Sequence, residues 1–171
     1  MRNRLALTIV SFMAFMAPMA AMAQGQVSSN DVVTVNVSTS ILSTVELITI
    51  SNMNFGRMNI DATELRLDPR TDAGAGLMKA TGRPNAAIRV SFLEQRELIR
   101  VGGGSTINFT YTVAGAQTDN QLTSELLTRE NRTLTMSSTG EFFFWIGGFA
   151  PIENIQFGSY QGEFTIEIEY L

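Results

Sequence analysis

The chain ends in "GSYQGEFTIEIEYL" (residues 158–171), and from Phe164 onward it alternates without a break. Phe164, Ile166, Ile168 and Tyr170 are apolar, while Glu163, Thr165, Glu167 and Glu169 between them are polar. Successive side chains of a strand point to opposite faces, so this pattern describes a strand with one face on a core and the other in water. Chain ends ordinarily fray. A terminal segment this strongly patterned is expected to be held inside a sheet, and that raises the question of what flanks it on either side.

The rest of the sequence is written in the same period. "VVTVNVSTSI" (32–41) places Val33, Val35, Val37 and Ile41 in one phase. "VELITI" (45–50), "MNFGRM" (53–58), "ELRL" (64–67) and "LMKATG" (77–82) follow, then "AAIRVSF" (86–92), with Ile88, Val90 and Phe92 in phase. After "VGGG" (101–104) come Ile107, Phe109, Tyr111 and Val113 on one face, and then "RTLTM" (132–136) and "EFFFWI" (141–146). Short β-branched and aromatic runs separated by Gly, Pro, Asn and Asp predict an all-β sandwich or barrel. Only "TSELLTRE" (123–130) offers a helical turn or two.

The first residues read as an export signal. A basic start, "MRNR", precedes an apolar run from Leu5 to Ala17, and Ala21-Met22-Ala23 supplies small residues around a cleavage site. The apolar run is too short to span a bilayer, which takes roughly 20 residues. The expected division is therefore 1–23 signal peptide, 24–42 N-terminal arm and 43–171 sandwich domain. Export to the periplasm, cell surface or medium follows, with no transmembrane segment in the mature chain. The sequence has no Cys and no His, so disulfides, thiolate metal sites and His-based acid–base chemistry are unavailable. A net charge of −4 and scattered arginines, with Lys79 the sole lysine, argue against nucleic acid.

No segment specifies a catalytic, cofactor or metal site. Gly102-Gly103-Gly104 is followed by a strand rather than by the helix that a phosphate cradle requires, so a hairpin turn is expected there. Asp61, Glu64, Asp68 and Asp72 could offer oxygens to Ca²⁺, but their spacing is not that of an EF-hand loop, and a solvated loop is the better expectation. Trp145 lies in a continuous apolar run and is expected in the core. The chain is not expected to be an enzyme.

Two resemblances add to this reading. "MNFGRM", "LDPRTDAGAGLMKATGRPNAAIRVSF", "WIGG" and "GSYQGEFTIEIEYL", in that order, resemble the signature segments of the secreted bacterial family termed domain of unknown function 4402. The resemblance implies an exported β-sandwich. The terminal strand is similar to that of chaperone–usher pilin subunits: Tyr170 is penultimate, Gly158 is fourteenth from the end, and Phe164, Ile166 and Ile168 occupy alternating positions between them. It implies an immunoglobulin-like, pilin-like antiparallel β-sandwich completed by a donated N-terminal strand, with a periplasmic chaperone as the earlier partner and self-association through strand exchange as the outcome. The chain departs from well-known pilins in having no disulfide and no Gly within the arm. Val33, Val35, Val37, Thr39 and Ile41 are the candidate donor positions. Gly158, Phe164, Ile166, Ile168 and Tyr170 are the candidate receiving strand. Burying four aliphatic side chains contributes roughly 6–12 kcal/mol before ordering entropy is set against it. The alternative is a monomeric envelope or extracellular binding module on the same fold. It requires an exposed aromatic surface, for instance at Trp145 or Tyr160.

Overall fold

The computed structural model describes residues 32–39 (as backbone), 45–57, 63–128, 132–153, 155–156 and 158–171. Twelve strands lie among them: β1 (Val32–Thr39), β2 (Glu46–Ser51), β3 (Met53–Arg57), β4 (Glu64–Leu67), β5 (Gly76–Thr81), β6 (Ala87–Phe92), β7 (Gln95–Arg100), β8 (Thr106–Ala116), β9 (Glu125–Leu126), β10 (Thr133–Thr135), β11 (Glu141–Pro151) and β12 (Tyr160–Tyr170). No helix among the described residues is long and apolar enough to cross a membrane. The fold is the expected all-β sandwich.

The period of two is what buries the core. Leu65 and Leu67, Met78 and Ala80, Ile88 and Val90, and Ile107, Phe109, Tyr111 and Val113 are all buried at alternate positions of their strands. β11 is the exception that its unbroken apolar run foretold. Phe142 through Ile146 are all buried, because β11 runs between β8 on one edge and β4 and β5 on the other, with both faces covered. Trp145 is accordingly in the interior, 4% exposed.

The hydrogen-bonded ladder closes on itself. It runs β3–β1–β12–β7–β8–β11–β5–β2, and β2 and β3 are successive pieces of one segment separated only by Asn52. Two corners turn the ladder from one layer to the other. At the first, the β2–β3 segment leaves β5 and joins β1. At the second, β8 exchanges its β7 partner for β11 at Thr110. Gly147 and Gly148 lie against that corner for a steric reason. A Cβ at Gly148 would sit 2.2 Å from the Thr110 carbonyl oxygen, and one at Gly147 would sit 2.3 Å from that of Leu67. Only a residue without a side chain lets the backbones pass this closely.

Two expectations need correction. Over its described part, residues 123–128, the stretch 123–130 does not form a helical turn or two; a single 3-10 turn covers Gln121–Thr123, capped by the Asn120 side chain accepting from the Leu122 N–H, and β9 follows it. β7 was not expected as a strand, since Arg96 and Arg100 stand in phase with its single buried residue, Leu98, and mask the alternation. The glycines at 102–104 do form the β7–β8 hairpin, all at positive φ, with the Arg100 N–H donating to the Ser105 carbonyl across it at 3.0 Å.

Gly148→Ala should lower the unfolding free energy by about 3 kcal/mol or more, because backbone must move to admit the methyl. Gly103→Ala, where nothing lies within 4 Å of the added atom, should cost only about 1 kcal/mol from its positive φ. Urea denaturation of the two variants checks both values.

Candidate functional site

The site is the place that β1 occupies between β3 and β12. β12 forms one wall. Tyr160, Phe164 and Ile166 are at most 1% exposed, and Ile168 is buried beside them, so the apolar phase seen at the end of the sequence faces the core and extends back to Tyr160. Gly162 continues that phase without a side chain. A Cβ there would meet Leu98 Cδ2 at 2.4 Å, so the bare position 162 makes room for the Leu98 side chain of β7. β3 forms the opposite wall, with Met53 fully buried and the Asn54 N–H donating to the Gly74 carbonyl at 2.8 Å.

Between these walls β1 pairs on both edges. Against β12 it runs parallel over seven registered pairs, from Val33 opposite Tyr160 to Thr39 opposite Ile166. Against β3 it runs antiparallel over three, Val32 with Arg57, Thr34 with Asn54 and Val35 with Met53, interrupted by a register shift. Every other pairing among the described strands is antiparallel. The structure therefore brings candidate donor and receiving positions together within one chain. Val33, Val35, Val37 and Thr39 take the registers of Tyr160, Gly162, Phe164 and Ile166. Ile41 lies outside the described residues.

Each end of β12 is fastened separately. At the start, Gly158 passes close to Arg100: a Cβ would lie 2.6 Å from the Arg100 Nε. The Val101 N–H donates to the Ser159 carbonyl, and the Tyr160 hydroxyl donates to the Gln156 carbonyl at 2.8 Å while also reaching Ser105 Oγ at 3.0 Å. At the end, the Tyr170 hydroxyl accepts from the Arg83 N–H at 2.7 Å. The Arg83 guanidinium covers the Tyr170 ring at 4.0 Å. Gly82 makes this contact possible, since a Cβ there would fall 2.2 Å from the hydroxyl.

Phe164 anchors β12 to the interior through a file of rings. Phe55 meets Phe109 at 5.5 Å, Phe109 meets Tyr111 at 4.8 Å, Tyr111 meets Phe164 at 4.9 Å and Phe164 meets Phe92 at 5.8 Å. The file thus reaches from β3 to β6. Beyond Phe92 the Arg132 guanidinium sits over the ring at 4.0 Å and bonds Glu94 at 2.8 Å. In the middle of the file the Tyr111 hydroxyl is buried with no hydrogen-bond partner, and burial pushes its pKa up to about 12, with the Arg96 guanidinium pulling weakly the other way. Sequence reasoning placed Tyr111 on the core face, but Tyr160, Gly162 and Leu98 escaped it as parts of this site. The signal for the first two was present: they continue the phase of Phe164 backward through the sequence.

The other candidates are accounted for locally. The Asp68 carboxylate accepts from the Arg70 N–H at 2.8 Å, and that backbone donor holds its pKa below the ordinary carboxylate range. Asp72 accepts from the Asp68 N–H at 2.6 Å, and Glu64 pairs with Arg66 at 3.8 Å. No group of three metal-capable side chains occurs among the described residues; Asp61 lies outside them. Trp145 and Tyr160, whose exposure would have offered a ligand-stacking platform, are both buried. No protein-family model matches the chain, and no curated protein is significantly similar to it.

Tyr111→Phe should be neutral or stabilising, because it removes a buried hydroxyl that has no partner. Tyr160→Phe should cost about 1 kcal/mol through the loss of its hydrogen bonds. The alkaline limb separates the two further. The folded Tyr111 pKa lies above the unfolded value, so its contribution is intact below pH 10 and is lost between about pH 10 and 12, at up to about 1.4 kcal/mol per pH unit. Unfolding free energies measured across that range should show a shallower alkaline decline in Tyr111→Phe than in the parent.

Proposed function

We propose that this chain is an exported, pilin-like structural subunit that assembles into fibres by exchange of its N-terminal strand. The observation that carries the reading is the position of β1. It is the first described strand, it closes a ladder that is otherwise open between β3 and β12, and it does so in the one parallel pairing among the described strands. A strand so placed can leave its slot without disturbing any other ladder. The arm of a second copy can then fill the same slot by strand addition, with main-chain bonds supplying affinity and alternate side chains supplying register.

Direction matters to the energetics. Parallel pairing is slightly less stable per residue than antiparallel pairing. An arm entering in the reverse sense would pair antiparallel with the long β12 edge, and would surrender antiparallel pairing only along the short β3 contact. Release of β1 in turn uncovers the β12 edge beside Phe164 and Ile166, apolar surface that calls for a temporary cover. A periplasmic chaperone is the partner of that chemistry. The candidate donor positions are Val33, Val35, Val37, Thr39 and Ile41, and the receiving strand is Gly158, Phe164, Ile166, Ile168 and Tyr170.

A second reading has its own support. β1 pairs here within its own chain, which closes a monomer and fits an extracellular binding module. Light scattering on residues 24–171, alone and with residues 24–42 removed, decides between them. Strand exchange predicts oligomers that survive SDS, and a truncated form that is unstable until a peptide of residues 31–42 binds at one per chain. A full-length chain that stays monomeric and cooperative at high concentration overturns the fibre reading and leaves the monomeric module.

A further inference from the structure

A cleft of about 530 Å³ opens between β9 and β10, away from the β1 slot. Its walls carry the side chains of Gln117, Thr118, Thr123, Glu125, Thr133 and Thr135, and its floor is Leu127, Leu134 and Phe142. Gly115 shapes that floor: a Cβ there would lie 2.7 Å from Phe142 Cε1, so the ring reaches under the cleft only because position 115 is bare. The size is that of a small-molecule site, for which roughly 300–1,000 Å³ is usual.

Backbone groups add to the walls. The Met136 N–H donates to the Ala86 carbonyl and the Arg132 carbonyl accepts from the Val90 N–H, so these positions of the β10 segment bond toward β6. Ladder alternation then turns the main-chain groups of Thr133 and Thr135 the other way, toward the cleft. Gln117 uses its Nε2 to hold the Thr135 carbonyl at 2.9 Å, which fixes its amide oxygen as an acceptor beside the opening. Among the described residues the lining contains no cationic side chain and a single carboxylate, Glu125.

We infer that this cleft binds a neutral saccharide unit. Donors and acceptors of both kinds on the walls suit a ligand that is hydroxyl-rich on its edges. The apolar floor suits the C–H face of a pyranose ring. Glu125 repels anions and accepts from paired hydroxyls. An added peptide strand is the competing occupant, but the Gln117 amide already takes the Thr135 carbonyl that such a strand would need. The site is independent of strand exchange and stands or falls by itself.

Saturation-transfer NMR on the purified chain tests it, with methyl glucoside, methyl mannoside, methyl galactoside, maltose and cellobiose as probes and an alternating Thr-Val hexapeptide as the strand control. The expected result is saturable transfer from at least one sugar, weakened about tenfold or more in both Glu125→Ala and Thr133→Arg. Both positions are exposed, so the unfolding midpoints should stay near that of the parent, and Gly103→Ala should bind as the parent does. The inference is overturned if no sugar gives saturable transfer, if both variants bind sugar unchanged, or if only the hexapeptide binds.

Discussion

Every layer of this fold depends on what lies against the inner and outer edges of β12. Its inner edge carries β6 and β7, and its outer edge carries β1. Remove β1 and the ladder loses its only link between β12 and β3 among the described strands. The sandwich would then present the unpaired main-chain groups of the β12 edge beside fully buried rings. An exposed edge of this kind is also a template for pairing with another chain. A domain whose closure rests on one strand must keep that strand or accept a substitute, and this is the physical root of the proposed assembly.

The interior explains why β12 holds its place while β1 is the strand that the proposed assembly exchanges. Phe164 sits in the ring file between Tyr111 and Phe92, so moving β12 would break contacts to β8 and β6 together. Its two ends are pinned by Tyr160 and Tyr170 through hydrogen bonds to residues far from them in sequence. The inner ladder is nonetheless imperfect. Between the pairs Gln161–Ile99 and Ile166–Phe92, β12 spans Gly162 to Thr165 while its partner spans Leu93 to Leu98, two residues more. The two extra residues correspond to the junction, Leu93 and Glu94, where β6 gives way to β7. The unpartnered Tyr111 hydroxyl lies 3.6 Å from where a Gly162 Cβ would be. The cost of that orphaned group is borne by the surrounding ring contacts.

Much of this was legible in the sequence because period two is a direct record of which face is buried. The final strand, the β8 run from Ile107 to Val113 and the doubly buried β11 could be read from their apolar positions alone. β7 could not. Arg96 and Arg100 occupy its inward phase, and long arginine stems can lie along apolar surface while their heads reach water, so the residue type hides the face. The 3-10 turn and β9 were misread as a helical segment because Leu126 and Leu127 are adjacent, and a short apolar pair carries no period. The position of β1 was beyond any local signal. Its own alternation says that one face is apolar, but the choice between β12 of the same chain and β12 of another is not encoded in a pattern of ten residues.

That ambiguity has a physical basis in the two corners of the ladder. Because β2 pairs with β5 and only β3 joins β1, β3 meets only the first part of β1, from Val32 to Val35. The later part, from Asn36 to Thr39, has β12 as its one described strand partner. A strand held on both edges along half its length and on one edge along the rest is zipped unevenly, and separation should begin at the singly held half, where fewer bonds must break. The same half lies opposite Phe164 and Ile166, both at most 1% exposed. The place where β1 is held most weakly therefore lies beside two buried apolar residues of β12, and in the proposed assembly exchange initiated there would exploit the unevenness that the β2–β3 corner imposes.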